Sequence, residues 1–287
     1  YQQRINALGN FTSGTYIGPY TYFMGLPGDA QGNRYDITIA DNPNPPQPAN
    51  AEARIVLSKY NSSGTLLWQV NAGNINKLAR TSYPKINSQG QVIIANPMGT
   101  LYRYSASGQL IGASAYGDYD AGIELDKNDN IYLFSYTTGK LQKFSSTGSR
   151  IWAIRNEPST NTAPKIASIT VDNSGNVYAA GNFYETSDLD PGTGVYKVFK
   201  TKGSSEDIFV QKLNSDGQFV WAMYTNYYGG SVGISPSAIK VDPSGEYIVV
   251  AGSMSGLINF NPTGTLLLAN TTLYDSYSFI WGIRQCK

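Results

Sequence analysis

The chain has no histidine, and its single cysteine, Cys286, stands next to the C-terminal Lys287. Without imidazole there is no Ser-His-Asp or Cys-His catalytic set and no histidine metal site. One thiol makes neither an internal disulfide nor a zinc cluster, although an exposed terminal thiol could join two chains. Charge is scarce as well: 14% of the 287 residues are charged, against about 25% in an ordinary globular protein. Twenty-one basic and twenty acidic residues leave no positive field for a nucleic-acid backbone. No apolar run approaches the length needed to span a bilayer as a helix. Tyr1-Gln-Gln-Arg4 lacks a charged stretch followed by an apolar one, so no secretory leader is visible.

What remains is rich in glycine (30) and tyrosine (22), and it is repetitive. One recurring segment reads apolar–Asp–polar–polar–Gly–Asn–apolar. Its best copies cover 169–181 and 239–252, with weaker ones at 123–132, 85–94 and 28–35. A second reads apolar–x–Lys/Arg–apolar, then a polar turn with glycine, then apolar–x–Trp. Its copies cover 56–68, 141–152 and 210–221, and 101–112 carries Gly112 at the tryptophan position. Each is two alternating strands around a tight turn. Asp or Asn opens the turn through its side chain, and glycine supplies positive φ.

The two hairpins together make a four-stranded antiparallel unit of about 40–45 residues, the size of one propeller blade. The turn glycines Gly64, Gly108 and Gly148 are 44 and 40 residues apart, and the next, Gly217, follows after 69 because residues 184–205 are inserted. Residues 278–284 match 207–213 and have no outer strand after them, whereas residues 3–8 resemble 218–223. The fold expected is an all-β, five-bladed β-propeller of four-stranded antiparallel blades. It forms one domain over 1–287, its last blade closed by the N-terminal strand.

The segment Asp207–Trp221, preceded by Asp-Asn-Ser-Gly-Asn-Val-Tyr-Ala-Ala-Gly at 172–181, resembles the SBBP-type β-propeller repeats. These occur in secreted and surface proteins of bacteria, the Bacteroidota among them. Asp188-Leu-Asp-Pro-Gly-Thr-Gly194 is similar to a loop of that family and recurs here as Asn259-Phe-Asn-Pro-Thr-Gly264. The resemblance is close over 165–284 and looser before it. It implies an extracellular or cell-surface location and no enzymatic activity.

Candidate chemistry is sparse. Asp188 and Asp190, spaced as in an oxygen-rich calcium loop, lose both charges in the second copy, so capping of a turn competes with calcium binding and no cofactor is expected otherwise. Asp118, Asp120 and Glu124 break the repeat ahead of the third blade, where a glycan-active propeller enzyme would carry paired carboxylates. Asp126, Asp172 and Asp242 recur in register and read as turn-formers. Trp68, Trp152 and Trp221 recur on outer strands and read as packing between blades.

Tyrosines outside the register, namely Tyr16, Tyr20, Tyr22, Tyr116, Tyr119, Tyr184, Tyr196, Tyr227 and Tyr228, fall in or beside predicted loops. There they suit either loop packing or contact with a sugar or protein. With Asp120 and Glu124 the last six form the candidate binding set. Asn10, Asn61 and Asn270 begin glycosylation triplets. A proline-rich insert at 41–50 reads as a stiff surface loop.

The function expected is a non-catalytic extracellular or cell-surface interaction and structural module. Loops 41–53, 183–206, 225–236 and 253–275 would form its contact surface for a protein partner or for self-assembly into a larger surface assembly. The alternatives are a carbohydrate-binding, lectin-like propeller and, behind it, a glycan-active hydrolase.

Overall fold

The computed structural model describes residues 2–5, 11–15, 22–25, 28–29, 31–41, 52–76, 84–96, 99–118, 121–158, 164–184, 186–198, 206–229, 233–261, 268–270 and 277–285. Among them there is no helix, and antiparallel strands account for the architecture. Five successive sheets follow the repeat. Sheet I contains Tyr22–Gly25, Arg34–Asp41, Glu52–Tyr60 and Leu66–Asn76. Sheet II contains Lys85–Ile86, Val92–Asn96, Thr100–Tyr104 and Leu110–Ala115. Sheet III contains Ala121–Leu125, Ile131–Ser135, Lys140–Phe144 and Arg150–Arg155.

Sheet IV contains Lys165–Val171, Val177–Phe183, Asp207–Leu213 and Phe219–Tyr224. Sheet V has three described strands, Ile234–Val241, Tyr247–Met254 and Tyr277–Arg284. In each four-stranded sheet the strands lie side by side in chain order.

Burial in the middle strands explains how the sheets stack. Second strands Val92–Asn96 and Ile131–Ser135 are buried at every position, as a strand covered on both faces must be. Alternate residues serve opposite neighbours. Val92 and Ile94 pack with Tyr35, Ile37, Ile55 and Leu57 of sheet I, while Ile93 and Ala95 pack with Ile123, Ile131 and Leu133 of sheet III. Tyr132, Phe134 and Leu141 meet Ile169, Val177 and Phe209 across III and IV. Tyr178, Ala180, Ile208 and Val210 meet Ile239, Ile248 and Trp281 across IV and V. Four apolar interfaces thus join five sheets in sequence order.

A second device clamps each sheet to the next. On the face that sheets I, III and IV turn toward their successors, Tyr35, Tyr132 and Tyr178 meet Trp68, Trp152 and Trp221 edge-on at 6.0, 6.0 and 6.3 Å. Lys59, Lys143 and Lys212 lie over the same tyrosine rings. The indole N–H of Trp68 donates to the Ala106 carbonyl at 3.0 Å, in a turn of sheet II. That of Trp152 donates to the Ser215 carbonyl at 3.1 Å, in a turn of sheet IV. In sheet II, where Gly112 replaces tryptophan, a Cβ there would collide with the Arg103 guanidinium, and Arg103 donates to the Ser146 carbonyl of sheet III instead.

The turn glycines have two reasons to be glycine. Gly108 and Gly217 sit at φ +84° and +81°, and a Cβ on them would come within 2.9 Å of Trp68 and 3.1 Å of Trp152.

The tyrosines are anchored from below by the first turn of each repeat. Asp29, Asp126 and Asp172 each accept two backbone N–H groups on Oδ1, at 2.9–3.1 Å. On Oδ2 each accepts an asparagine amide and the hydroxyl of the buried tyrosine. Burial raises the Asp29 carboxyl, but hydrogen bonds from Asn33, Lys59 and Tyr35 outweigh it and bring its pKa from 3.8 to about 2. Burial beside Asp172, opposed by the hydrogen bond from Gln285, pushes the Tyr178 hydroxyl up to about 12. The turn-former reading of the recurrent aspartates and the packing reading of the tryptophans both match this geometry.

The chain ends depart from expectation. Gln2–Ile5 pairs with Phe11–Thr15 in a two-stranded sheet of its own, and Tyr277–Arg284 pairs with Tyr247–Met254. Among the described residues, nothing joins the first strand to the last. A hairpin between strands so near in sequence closes a short loop, whereas pairing 3–8 with 278–284 must close nearly the whole chain.

Candidate functional site

Strand direction sorts the connections onto two rims. In a four-stranded antiparallel sheet the first and third turns share one rim. The middle turn shares the other with the link to the next sheet. The tight Asp and glycine turns, such as 126–130 and 145–149, therefore lie on one rim, and every long insertion falls on the other. The insertion in sheet IV carries Ser187–Asp188 and Lys197–Val198, which join Glu157–Pro158 in a small three-stranded sheet. That in sheet V repeats the arrangement with Asn226–Gly229, Leu257–Asn259 and Leu268–Asn270. All four predicted contact loops begin or end on this long-loop rim.

Asp188 and Asp190 sit in the first of these inserts as turn-builders. Asp188 Oδ1 accepts the N–H groups of Asp190 at 3.0 Å and Tyr196 at 2.8 Å, and Asp190 Oδ1 accepts that of Gly192 at 2.8 Å. Asn259 Oδ1 accepts the Asn261 N–H at 3.0 Å in the second insert. An amide oxygen does this as well as a carboxylate, which is why the second copy sheds its charge. Among the described residues no group of three or more Asp, Glu or Cys side chains is placed to share a metal ion.

The other nominated residues scatter. Glu124 forms an ion pair with Lys85 at 2.8 Å, bridging the first strands of sheets III and II. Asp118 is 9% exposed and accepts the Thr138 hydroxyl at 2.9 Å. Tyr119 and Asp120 lie outside the described residues, and of Tyr227 and Tyr228 only the strand 226–229 is described.

Tyr116 and Tyr196 do lie in irregular links, and both pack inward. Tyr116 is 1% exposed and donates its hydroxyl to the Asn96 carbonyl at 2.6 Å. Tyr196 stacks on Phe219 and donates to the Ala222 carbonyl at 2.7 Å. Their rings fill gaps that the irregular links leave over the sheets. Tyr184 does face outward, with the Lys165 ammonium over its ring and Glu206 completing the group.

One groove opens on the long-loop rim, with a volume of about 500 Å³. Its walls are Gly117 and Asp118 from the link entering sheet III, Thr138 and Lys140 from that sheet's middle turn, Ala153, Ile154 and Arg155 from its outer strand, and Pro191 from the sheet IV insert. Sequence reasoning named only Asp118 among these. The signal for the rest was present in the hairpin register: once Lys143 faces Trp152, Lys140 faces Arg155.

No protein-family model matches the chain, and no curated protein matches it either. Solved structures do. One chain in the crystal structure of a mitotic checkpoint complex aligns with a TM-score of 0.52 at 9% identity, over 95% of this chain and 68% of its own length. The structure of the Dos1 propeller aligns at 0.48 with 14% identity, over 87% of this chain and 69% of that one. The neighbours are β-propellers, and at such identities the likeness is one of fold alone. The described residues form an all-β protein of stacked, four-stranded antiparallel sheets, the arrangement of propeller blades.

Proposed function

We propose that this chain is a non-catalytic interaction module, a single domain in which sheets I to V are five blades and the long-loop rim is the contact surface. The observation that carries this reading is the segregation of insertions. Every turn on one rim is short and locked by its own side chains, while both added three-stranded sheets rise from the other. A rigid stack that varies on one rim is how scaffolds present binding loops. The propeller neighbours, one of them within a complex, agree with a protein-interaction role.

The finer parts of the reading rest on sequence. Likeness to SBBP-type repeats and low charge favour a secreted or surface location, a protein partner or self-assembly, and no cofactor. The glycan-active alternative needs paired carboxylates; of its candidates Asp118 accepts the Thr138 hydroxyl and Glu124 is in an ion pair with Lys85, and Asp120 lies outside the described residues. The lectin alternative retains Tyr184, whose exposed ring is suited to a sugar face. A glycan array distinguishes it from a protein-binding role.

The test is to replace residues 185–205 by a short Gly-Ser linker and compare association states by sedimentation. Reduced association with an unchanged far-ultraviolet spectrum supports the rim. Association unaffected by the trimming, but lost on changing turns 126–130 and 145–149, assigns contact to the opposite rim.

A further inference from the structure

We infer that the groove beside sheet III is a carboxylate site, built to take an acidic, extended peptide segment of a partner; this deepens the interaction reading above and rests on it. Lys140 and Arg155 are direct cross-strand partners in the third and fourth strands, and both line the groove. Like charges placed opposite each other on an antiparallel pair repel and weaken it. Five other basic side chains are matched, Arg34 with Asp36, Lys59 with Asp29, Lys85 with Glu124, Lys165 with Glu206 and Arg284 with Glu246, while Arg103, Lys143 and Lys212 reach neutral oxygens that fasten one sheet to the next. Among the described residues no such ion pair includes Lys140 or Arg155.

Neutral carbonyls hold the two cations instead. Arg155 Nε donates to the Thr138 carbonyl at 3.1 Å, and Lys140 Nζ reaches the carbonyls of Tyr116 at 3.4 Å and Gly117 at 3.5 Å. These contacts fix the side chains without neutralising them. The Nη groups of Arg155 and one ammonium proton of Lys140 remain as donors for a carboxylate. Asp118, the one acid in the lining among the described residues, accepts the Thr138 hydroxyl on Oδ2, and against Lys140 and Arg155 the described lining keeps an excess of one positive charge.

The remaining walls decide between ligand classes. Ala153, Ile154 and Pro191 are aliphatic, and among the described residues no aromatic face lines the groove, which suits a peptide side chain better than a sugar ring. Arg150–Arg155 is also the outermost strand of its sheet, so its outer backbone groups are available to an added strand. A Glu or Asp carboxylate would bridge Lys140 and Arg155 while a neighbouring aliphatic residue lies against Ile154 and Pro191.

The probe is the capped peptide Leu-Glu-Leu-Glu-Leu, with Leu-Gln-Leu-Gln-Leu as its neutral control. Both are titrated into the intact chain and followed by backbone amide shifts. The site requires that the Glu peptide bind at least about tenfold more tightly than the control, with shifts centred on 138–140 and 153–155. The double variant Lys140→Gln/Arg155→Gln should bind the two peptides equally. Both side chains stand at the surface, and an unchanged thermal midpoint shows that the variant is folded.

Equal binding of both peptides to the native chain, no binding of either, or undiminished binding to the double variant overturns the site. Tighter binding of a glucuronic acid oligosaccharide than of the Glu peptide would make it an acidic-sugar site and overturn the peptide assignment. If the peptides fail while trimming 185–205 still alters association, the groove falls and the contact rim stands. If the peptides bind but trimming changes nothing, the site stands apart from the rim reading.

Discussion

Sheets IV and V begin from the same repeat and end with opposite surfaces. In sheet IV, Tyr178 faces Lys212 across the strands, Trp221 flanks the pair, and Gln285 of sheet V receives both the indole and the ammonium, at 2.9 and 3.0 Å. In sheet V the corresponding pair is Val249 and Gly282. Val249 is 44% exposed and Ile280, beside it, 79%. The rear face of sheet V, with Ile248, Val250 and Trp281, is as well packed as any other. The clamp thus accompanies a forward neighbour, and sheet V, against which no successor sheet packs among the described residues, has the same hydrogen-bonding without it.

This contrast can be broken most forcefully at the clamp. Trp152→Ala removes an edge-on aromatic contact and the hydrogen bond to Ser215, and should cost about 3 kcal/mol in urea unfolding. A cost below about 1 kcal/mol would show that the apolar interface alone holds the sheets. Gly217→Ala forces a side chain into left-handed backbone against Trp152 and should cost about 2 kcal/mol. If the loss persists unchanged in a Trp152→Ala background, backbone strain accounts for all of it.

Acid should loosen sheet I. Because the Asp29 pKa is depressed in the folded chain, its contribution is complete above about pH 4, declines as pH falls, and is gone below about pH 2. The backbone amide shifts of residues 31–35 should report that transition, and Asp29→Asn should flatten it. The smallest effect belongs to sheet V. Ile280→Lys should change stability by less than about 0.5 kcal/mol, and a loss of about 2 kcal/mol or more would reveal that its forward face is covered.

The sheets were legible because period-two alternation and turn chemistry act locally. Asp172-Asn-Ser-Gly-Asn176 states its own turn, and Lys143 with Trp152 states its own register. Whether Tyr116 and Tyr196 turn to packing or to a ligand was not legible, because their surroundings are made by residues distant in sequence, such as Asn96 and Ala222. The groove was invisible for a related reason. Its walls come from four stretches of chain, and only the Lys140–Arg155 pairing is written within one hairpin. The N-terminal strand was a choice between two partners that alternation fits equally well, and the nearer one was taken.

Three of the clamps fasten to main-chain carbonyls, at Ala106, Ser146 and Ser215, and only the one between sheets IV and V uses a side chain, Gln285; a carbonyl is offered by any amino acid. A sheet can therefore change the side chains of its receiving turn without a matching change in the sheet before it. Duplicating or exchanging one unit carries both halves of the fastening with it, so arrays of this kind can lengthen by copying.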